Sequence, residues 1–295
     1  MEILNLTKTK PKRVSAILGF FDGVHLGHRE VIRSAVDFAR RNNERSLLIT
    51  FKKSPAEFFT GKSEYIYPRE YSYSLIEELG VDYLVEYDFE KIAHLSAEEY
   101  LVENLIKQFE PISISTGFNH TFGANKSGDK SFLENKQAEY GYKYFCVPPY
   151  ELDGEIVSST LIKNEIKLGH LEKAQKMLGR PFLISSKVIK GQNLGAKLGF
   201  PTANLEYPDK IVKLPFGVYQ ARIMDKQAVL NWGKKPTVGD FKEILEAHIL
   251  NFEADLYGKV LEIEILKKIR DEKKFANVDE LKEQIKEDIK VCTGS

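Results

Sequence analysis

The hydrophobic pattern of the chain changes its period after Gly179, and this change constrains the fold more than any other feature. Up to that point, short apolar runs of strand type alternate with segments whose apolar residues recur at helical spacing. Such alternation implies right-handed crossovers and a parallel sheet covered on both faces, with ligands gathered at the carboxyl ends of the strands. The predicted strands are Val14–Gly19, Ser46–Phe51, Val81–Tyr87, Ile112–Thr116 and Tyr142–Val147.

Beyond Gly179, the sequence contains short strands divided by Gly, Pro, Asn and Asp turns, with no helical pattern between them, which predicts an antiparallel barrel. An apolar stripe predicts a terminal helix that starts near Asn277 and packs on this barrel. We therefore predict an α/β protein with one domain over residues 1–180 and a second over residues 181–295. The predicted barrel strands are Phe182–Ile189, Gly217–Met224, Ala247–Phe252 and Val260–Leu266.

Composition limits the kind of partner. The 43 basic residues balance the 43 acidic residues, so no net charge attracts nucleic acid or an anionic membrane, and an anionic substrate must be bound locally. Cys146 and Cys292 fit no metal spacing and are too few for a disulfide framework, which indicates a reducing compartment. No apolar run approaches the roughly 18 residues that span a bilayer. These features predict a cytoplasmic protein.

The most informative motif is the segment GFFDGVHLGH, at the predicted junction between the first strand and the first helix. Glycines there let the backbone approach a ligand, and free amides at a helix start favour phosphate. The two histidines can donate hydrogen bonds to phosphoryl oxygens, and phosphoryl-type transfer needs positioning and charge neutralisation more than a nucleophile. The segment therefore predicts a nucleotide site, with Asp22 orienting the turn or a partner. Its candidate residues are Gly19, Phe21, Asp22, Gly23, His25, Gly27 and His28.

This segment resembles the HxGH signature of the nucleotidylyltransferase superfamily. The preceding FDG resembles its flavin branch, the bifunctional riboflavin kinase/FMN adenylyltransferase (FAD synthetase) family, which implies a Rossmann-like first domain. The segment GFNHTFG over residues 117–123 resembles the family's G-x-N-F-x-FG loop, which implies that Asn119 contacts nucleotide or flavin. His120 stands there in place of the usual phenylalanine, and we favour an exposed loop position for it over a new polar contact.

A third loop of the first domain resembles the family's SSTxIR segment. Its Ser158, Ser159 and Thr160 are expected to begin a helix whose N-terminus receives phosphate. Lys163 replaces the family's arginine, which keeps the positive charge but loses the bidentate fork. The segment TFKKSP over residues 50–55 resembles the family's TFDPHP but lacks its aspartate and histidine.

The segment GAKLGFPTAN, after the first predicted barrel strand, suits a tight loop around phosphates. Thr202 supplies a hydroxyl and Asn204 a carbonyl oxygen, both hard ligands suited to magnesium. The segment resembles the PTAN motif of riboflavin kinases, and further stretches such as LEAH resemble the same kinase. This resemblance implies that Glu246 is the general base and that Arg270 closes over flavin. The predicted nucleotide contacts in this loop are Gly195, Lys197, Gly199 and Pro201.

The resemblance implies that ATP phosphorylates riboflavin in the second domain and adenylylates FMN in the first, with Mg²⁺ serving both steps. The implied partners are these small molecules alone, without nucleic acid or membrane, for a monomer or weak homo-oligomer. Two alternatives stay open. Leu194, Ala196 and Lys197 stand where the family usually has arginines, which favours adenylyl transfer without kinase activity. Lys163 and the altered TFKKSP loop favour a catalytically weak regulator that binds flavin or nucleotide.

Overall fold

A computed structural model describes residues 1–5, 7, 10–191, 199–237 and 240–294, without the side chains of residues 235–237 and 240–242. Its contacts divide the chain into two compact units. The first unit comprises Met1–Ser63 and Arg69–Ser159, and the second comprises Glu64–Pro68 and Thr160–Ser295. No helix within the described ranges combines the length and the apolar character that a membrane crossing requires.

The first unit is built on a parallel six-stranded sheet in the order β1-β4-β3-β2-β5-β6. The central strand β2 is entirely buried, because both faces of a parallel sheet are covered. The order reverses around β2, and such a switch point is where open α/β sheets bind ligands. The strands are β1 (Glu2–Ile3), β2 (Ser15–Leu18), β3 (Ser46–Phe51), β4 (Tyr83–Tyr87), β5 (Ser113–Gly117) and β6 (Lys143–Val147).

The helices of the first unit follow the expected start signals. Ser96 and Glu99 form a capping box, in which each side chain accepts a hydrogen bond from the other residue's backbone amide. A π-helix over Tyr100–Ile106 follows, where the Tyr87 hydroxyl donates to the carbonyl of Asn104. The α-helices are α1 (Leu26–Arg41), α2 (Pro55–Thr60), α3 (Arg69–Glu78), α4 (Phe89–Ile92), α5 (Ala97–Glu99), α6 (Lys107–Phe109) and α7 (Lys130–Tyr140), and a small hairpin pairs β7 (Glu151–Leu152) with β8 (Glu155–Ile156).

The second unit is a closed antiparallel barrel in the order β10-β13-β12-β11-β14-β9. Trp232 is buried in this unit. Its ring centroid lies 4.5 Å from that of Tyr207 and 5.4 Å from that of Phe216. The strands are β9 (Phe182–Ile189), β10 (Ala203–Leu205), β11 (Gly217–Ile223), β12 (Lys226–Thr237), β13 (Asp240–Ile249) and β14 (Val260–Arg270). The helices are α8 (Ser159–Leu168), whose first residue is assigned to the first unit, α9 (Leu171–Leu178) and the terminal α10 (Val278–Thr293).

The architecture predicted from the sequence, a parallel-sheet domain followed by an antiparallel barrel and a terminal helix, is confirmed. Some individual strands differ from the predicted ones. Of the strand predicted over Ala247–Phe252, only residues 247–249 are strand, as the end of the longer β13, and β1, β10 and β12 were not predicted. Gly233 and Pro236 are typical of turns and masked the strand pattern of β12, which nevertheless pairs with β13 from Ala228 to Thr237. The domain boundary after residue 180 stays a prediction.

Residues 64–68 form a strap that packs into the second unit although they precede most of the first unit in the chain. Ile66 is 0% and Tyr67 2% exposed. The Tyr65 amide donates to the Lys210 carbonyl at 2.7 Å, and the Tyr67 hydroxyl donates to the Pro181 carbonyl at 2.7 Å. The strap is therefore part of the barrel's core.

Replacing Ile66 by alanine should lower the free energy of unfolding of the second unit by about 2–4 kcal/mol, because it removes a fully buried side chain and leaves a cavity. The measurement is denaturant unfolding followed by the fluorescence of Trp232, the only tryptophan of the chain. The control is Ile3→Ala, whose side chain is 56% exposed, and it should leave that transition unchanged. Equal effects of the two variants would refute the structural role of the strap.

Candidate active sites

The first site begins with a strained turn between β2 and α1. A 3-10 turn over Asp22–Val24 leads into the helix. Gly23 has φ of 81° and the buried Val24 has φ of 41°. A β-branched residue at positive φ is an uncommon, costly conformation that persists where the surroundings fix it, and such strain clusters at functional sites. The turn leads directly into His25 at the start of α1.

His25 and His28 lie together at the start of α1. Their rings stack with centroids 3.6 Å apart at an interplanar angle of 18°. The His25 Nδ1 accepts a hydrogen bond from the His28 backbone amide at 3.2 Å, which makes His25 the N-cap of the helix. A Cβ on Gly27 would approach the His25 ring to 3.3 Å, so the ring rests against that glycine. Phe21 closes the other side, its ring 5.2 Å from that of His28.

Both imidazoles are neutral at pH 7. Burial, aided by the nearby Arg29 charge, lowers the pKa of His25 to about 4. Burial and the His25 charge lower the pKa of His28 well below its usual value. Because the His25 Nδ1 accepts a hydrogen bond, the proton of its neutral ring is on Nε2. That N–H can donate to a phosphate oxygen without a charge on the ring.

The remaining predicted residues of this site follow neighbouring elements. Asn119 comes after β5, which pairs directly with β2, so both segments leave the same edge of the sheet. The Ser159 hydroxyl donates to the Asp22 carbonyl at 2.9 Å, and both residues belong to the first unit. Ser158 directly precedes α8, and Thr160 and Lys163 lie in its first turns. Gly19 directly follows β2.

His120 differs from the exposed loop residue that we favoured. It is half-buried and stacks on Phe122, with centroids 5.8 Å apart. Its Nε2 is buried and has no hydrogen-bond partner among the described residues. Burial lowers the pKa of this ring to about 4. His120 is therefore a neutral imidazole that packs in the place of an aromatic ring.

Replacing His120 by phenylalanine should make the protein more resistant to acid. The unfolded chain protonates this histidine near pH 6.5, whereas the folded chain does so only near pH 4, so the wild type loses stability as the pH falls through this interval. Between pH 7.5 and pH 5, the free energy of unfolding of H120F should therefore rise by about 2 kcal/mol relative to that of the wild type. Urea unfolding at the two pH values measures the shift, and parallel curves for the two proteins would contradict it.

An aromatic cluster at the same edge of the sheet was missed in the sequence. Phe58 and Phe59 of α2 meet Phe89 of α4 edge to face, with centroids 5.4 and 5.9 Å apart, and Phe51 contacts Phe89 at 5.2 Å. Phe59 is 73% exposed. The signal was the Phe-Phe pair two residues after the TFKKSP segment.

The second site lies on the barrel around a cavity of about 430 Å³. Pro201, Thr202 and Asn204 line this cavity. Gly199, two residues before Pro201, has φ of 89°. A Cβ on Gly191, which also lines the cavity, would lie 1.8 Å from the Asn204 Nδ2, so the Asn204 amide lies directly over the backbone of Gly191. Sequence analysis missed this glycine. The predicted contacts Gly195 and Lys197 lie outside the described residues.

Glu246 lies on β13 directly opposite Asn204 of β10 and directly opposite Asn231 of β12. Directly opposed residues point to the same face of a sheet, so the structure places the predicted base beside a predicted metal ligand. Glu246 is half-buried and is not among the described residues that line the cavity.

Arg270 ends β14 and makes a two-pronged ion pair with Asp288 of α10. The Arg270 Nε lies 2.9 Å from Oδ1 of Asp288, and the second guanidinium nitrogen lies 2.8 Å from Oδ2. Asp288 is 3% exposed. The pair attaches the terminal helix to the barrel. The flavin contact of Arg270 stays a prediction, and it would have to coexist with this pair or replace it.

The residues present fit a magnesium ion held mainly by substrate. The described residues contain no cluster of three or more His, Cys, Asp or Glu side chains placed to hold a metal. Thr202 and Asn204 nevertheless bring a hydroxyl and an amide to the wall of one cavity. Magnesium commonly takes few protein ligands and keeps waters and substrate phosphates as the others.

Together these features define a two-site nucleotide enzyme, with a phosphate site on a parallel α/β unit and a second site on a closed barrel. A family model described as FAD synthetase matches residues 7–161, and one described as riboflavin kinase matches residues 178–294. The chain belongs to the bifunctional riboflavin kinase/FMN adenylyltransferase family. The family predicted from the motifs is thereby confirmed.

Individual relatives extend over nearly the whole chain. The bifunctional riboflavin kinase/FMN adenylyltransferase of Escherichia coli is 32% identical, over 97% of this chain and 94% of the relative. The protein of that name from Buchnera aphidicola subsp. Schizaphis graminum is 34% identical, over 98% of this chain and 96% of the relative. A crystal structure described as a macrolide-efflux protein from Streptococcus pneumoniae matches this chain with a TM-score of 0.88 and 29% sequence identity, and the match covers 100% of each chain.

Proposed function

We propose that this chain makes FAD from riboflavin in two ATP-dependent steps. The barrel phosphorylates riboflavin to FMN, and the parallel α/β unit adenylylates FMN. The observation that carries the proposal is the stacked pair of neutral imidazoles, His25 and His28, at the N-terminus of α1 beside the switch point of the sheet. We assign adenylyl transfer to residues 1–180 and the kinase to residues 181–295, as the sequence motifs imply.

In the adenylyl-transfer step, a phosphate oxygen of FMN attacks the α-phosphorus of ATP, and pyrophosphate leaves. The His25 Nε2–H and the free amides of the first turn of α1 donate hydrogen bonds to the phosphates. His28 supports the His25 ring by stacking and is a second donor. Asn119 and Ser158 to Thr160 add polar groups, and Lys163 adds one positive charge. Because the site holds these donors before substrate binds, the transition state gains them without reorganisation.

In the kinase step, the 5′-hydroxyl of riboflavin attacks the γ-phosphorus of ATP, and ADP leaves. Glu246 takes the proton of that hydroxyl. Thr202 and Asn204 are the residues that would hold Mg²⁺. When bound, the ion neutralises phosphate charge. A cytoplasmic location and a monomeric or weakly associating chain stay predictions.

The test is product analysis by chromatography after the pure protein is incubated with riboflavin, ATP and Mg²⁺. The proposal predicts that FMN appears first and FAD later, with pyrophosphate. FAD formed only from added FMN would support the narrower adenylyltransferase. Binding of flavin without FMN, FAD or pyrophosphate would identify a regulator and overturn the proposal.

A further inference from the structure

The strand β13 presents Glu246 and His248 on the same face of the barrel. The intervening and flanking residues Leu245, Ala247 and Ile249 are buried, and the side chains of a strand alternate between its two faces. Glu246 is the base of the proposed kinase step. His248 has no part in that step, and it is not among the described residues that line the cavity.

His248 reaches across to the segment that carries the proposed magnesium ligands. Its Nδ1 lies 2.8 Å from the carbonyl oxygen of Pro201. A carbonyl oxygen can only accept, so Nδ1 carries the proton and donates it in this hydrogen bond. The edge of the ring also meets Phe200, with centroids 5.8 Å apart and an interplanar angle of 87°. His248 therefore fixes both residues that directly precede Thr202.

Thr202 needs such a constraint more than Asn204 does. Asn204 lies within β10, whose ladder with β13 pairs Ala203 with Ala247 and Asn204 with Glu246. Thr202 precedes the first residue of β10 and lies outside this ladder. Its position therefore depends on the backbone of Pro201.

We propose that His248 is a positioning residue of the kinase, which holds Thr202 in place through the Pro201 carbonyl. This inference rests on the proposed kinase function and deepens it. The single strand β13 thereby carries the base, Glu246, and also fixes the distance from that base to the Thr202 hydroxyl, which would hold Mg²⁺. Partners that orient a metal ligand typically change metal affinity or activity by about 10–100-fold when they are removed.

The test compares three variants of the full chain. H248F keeps an aromatic ring against Phe200 but removes the donor, and H248A removes both. H248N keeps an N–H donor at the position of Nδ1 and is the rescue variant. We expect the Mg²⁺ concentration for half-maximal FMN formation to rise about 10-fold or more in H248F and H248A, and to stay within about 3-fold of wild type in H248N. Adenylylation of added FMN is the internal control and should be unchanged.

Hydrogen exchange supplies a readout that does not depend on kinase activity. The backbone amide of Thr202 should exchange about 10-fold faster in H248F than in wild type, and H248N should restore protection. If wild type forms no FMN, the proposed kinase function fails, while exchange still tests the contact. Unchanged exchange and Mg²⁺ requirement in H248F would overturn the proposal. A lower melting temperature with an unchanged Mg²⁺ requirement would overturn it too, because it would reduce His248 to a packing residue.

Discussion

Replacing His25 by asparagine should lower the rate of FAD formation from added FMN by about 10²–10³-fold while the fold stays intact. The substitution separates the two roles of this side chain. Asparagine is among the best N-cap residues, so it can still accept from the first turn of α1, as the His25 Nδ1 does at 3.2 Å. It cannot place a donor where the imidazole Nε2–H lies. Loss of one preorganised donor to a transition state costs about this factor.

The measurement is kcat for FAD formation at saturating ATP and FMN, with the melting temperature recorded in parallel. FMN formation from riboflavin serves as the control, because the barrel carries that reaction in the proposed scheme. Ser34→Ala is a matched substitution on α1, where the hydroxyl donates to the Val31 carbonyl of the same helix, and it should leave both activities unchanged. FAD formation within about 3-fold of wild type in H25N would exclude His25 from phosphate binding.

The location of the first site could be predicted because a local pattern determines it. The apolar run of β2, a glycine turn and the helical spacing of α1 are contiguous, and together they put His25 and His28 at a helix start. Their stacking and their neutral state could not be predicted. Both depend on burial by the surrounding unit, which lowers the two pKa values.

Distant pairings account for most of what the sequence did not reveal. Closure of the barrel brings Asn204 opposite Glu246, and a register shift of one residue would have moved Glu246 to the interior face. Sequence patterns identify both residues but not their register. The contact of His248 with Pro201 was missed for the same reason.

Two further sets of buried residues also escaped prediction. Ile66 and Tyr67 lie in a short segment with turn residues around it, and only the tertiary structure shows that they belong to the second unit. Asp288 interrupts the apolar face of α10, where a charge predicts exposure. Its burial is possible because Arg270 pairs with both of its oxygens.

Replacing Glu246 by glutamine should lower the rate of FMN formation from riboflavin by about 10²–10⁴-fold. The amide has nearly the shape of the carboxylate but cannot take the proton of the attacking hydroxyl, and general bases contribute about this factor. Glu246 lies opposite Asn204, so glutamine also removes a negative charge beside the proposed Mg²⁺ ligand. We therefore expect kcat to fall while the KM for ATP stays the same or falls.

Adenylylation of added FMN is the control for E246Q and should proceed at the wild-type rate. Glu243→Gln is the matched control on the same strand, because its exposed carboxylate pairs only with Lys213 among the described residues. It should change neither activity. A wild-type rate of FMN formation in E246Q would remove Glu246 from the mechanism and leave positioning of the γ-phosphate as the source of catalysis. A loss of both activities in E246Q would instead show a defect of folding, which the unfolding transition reported by Trp232 would reveal independently.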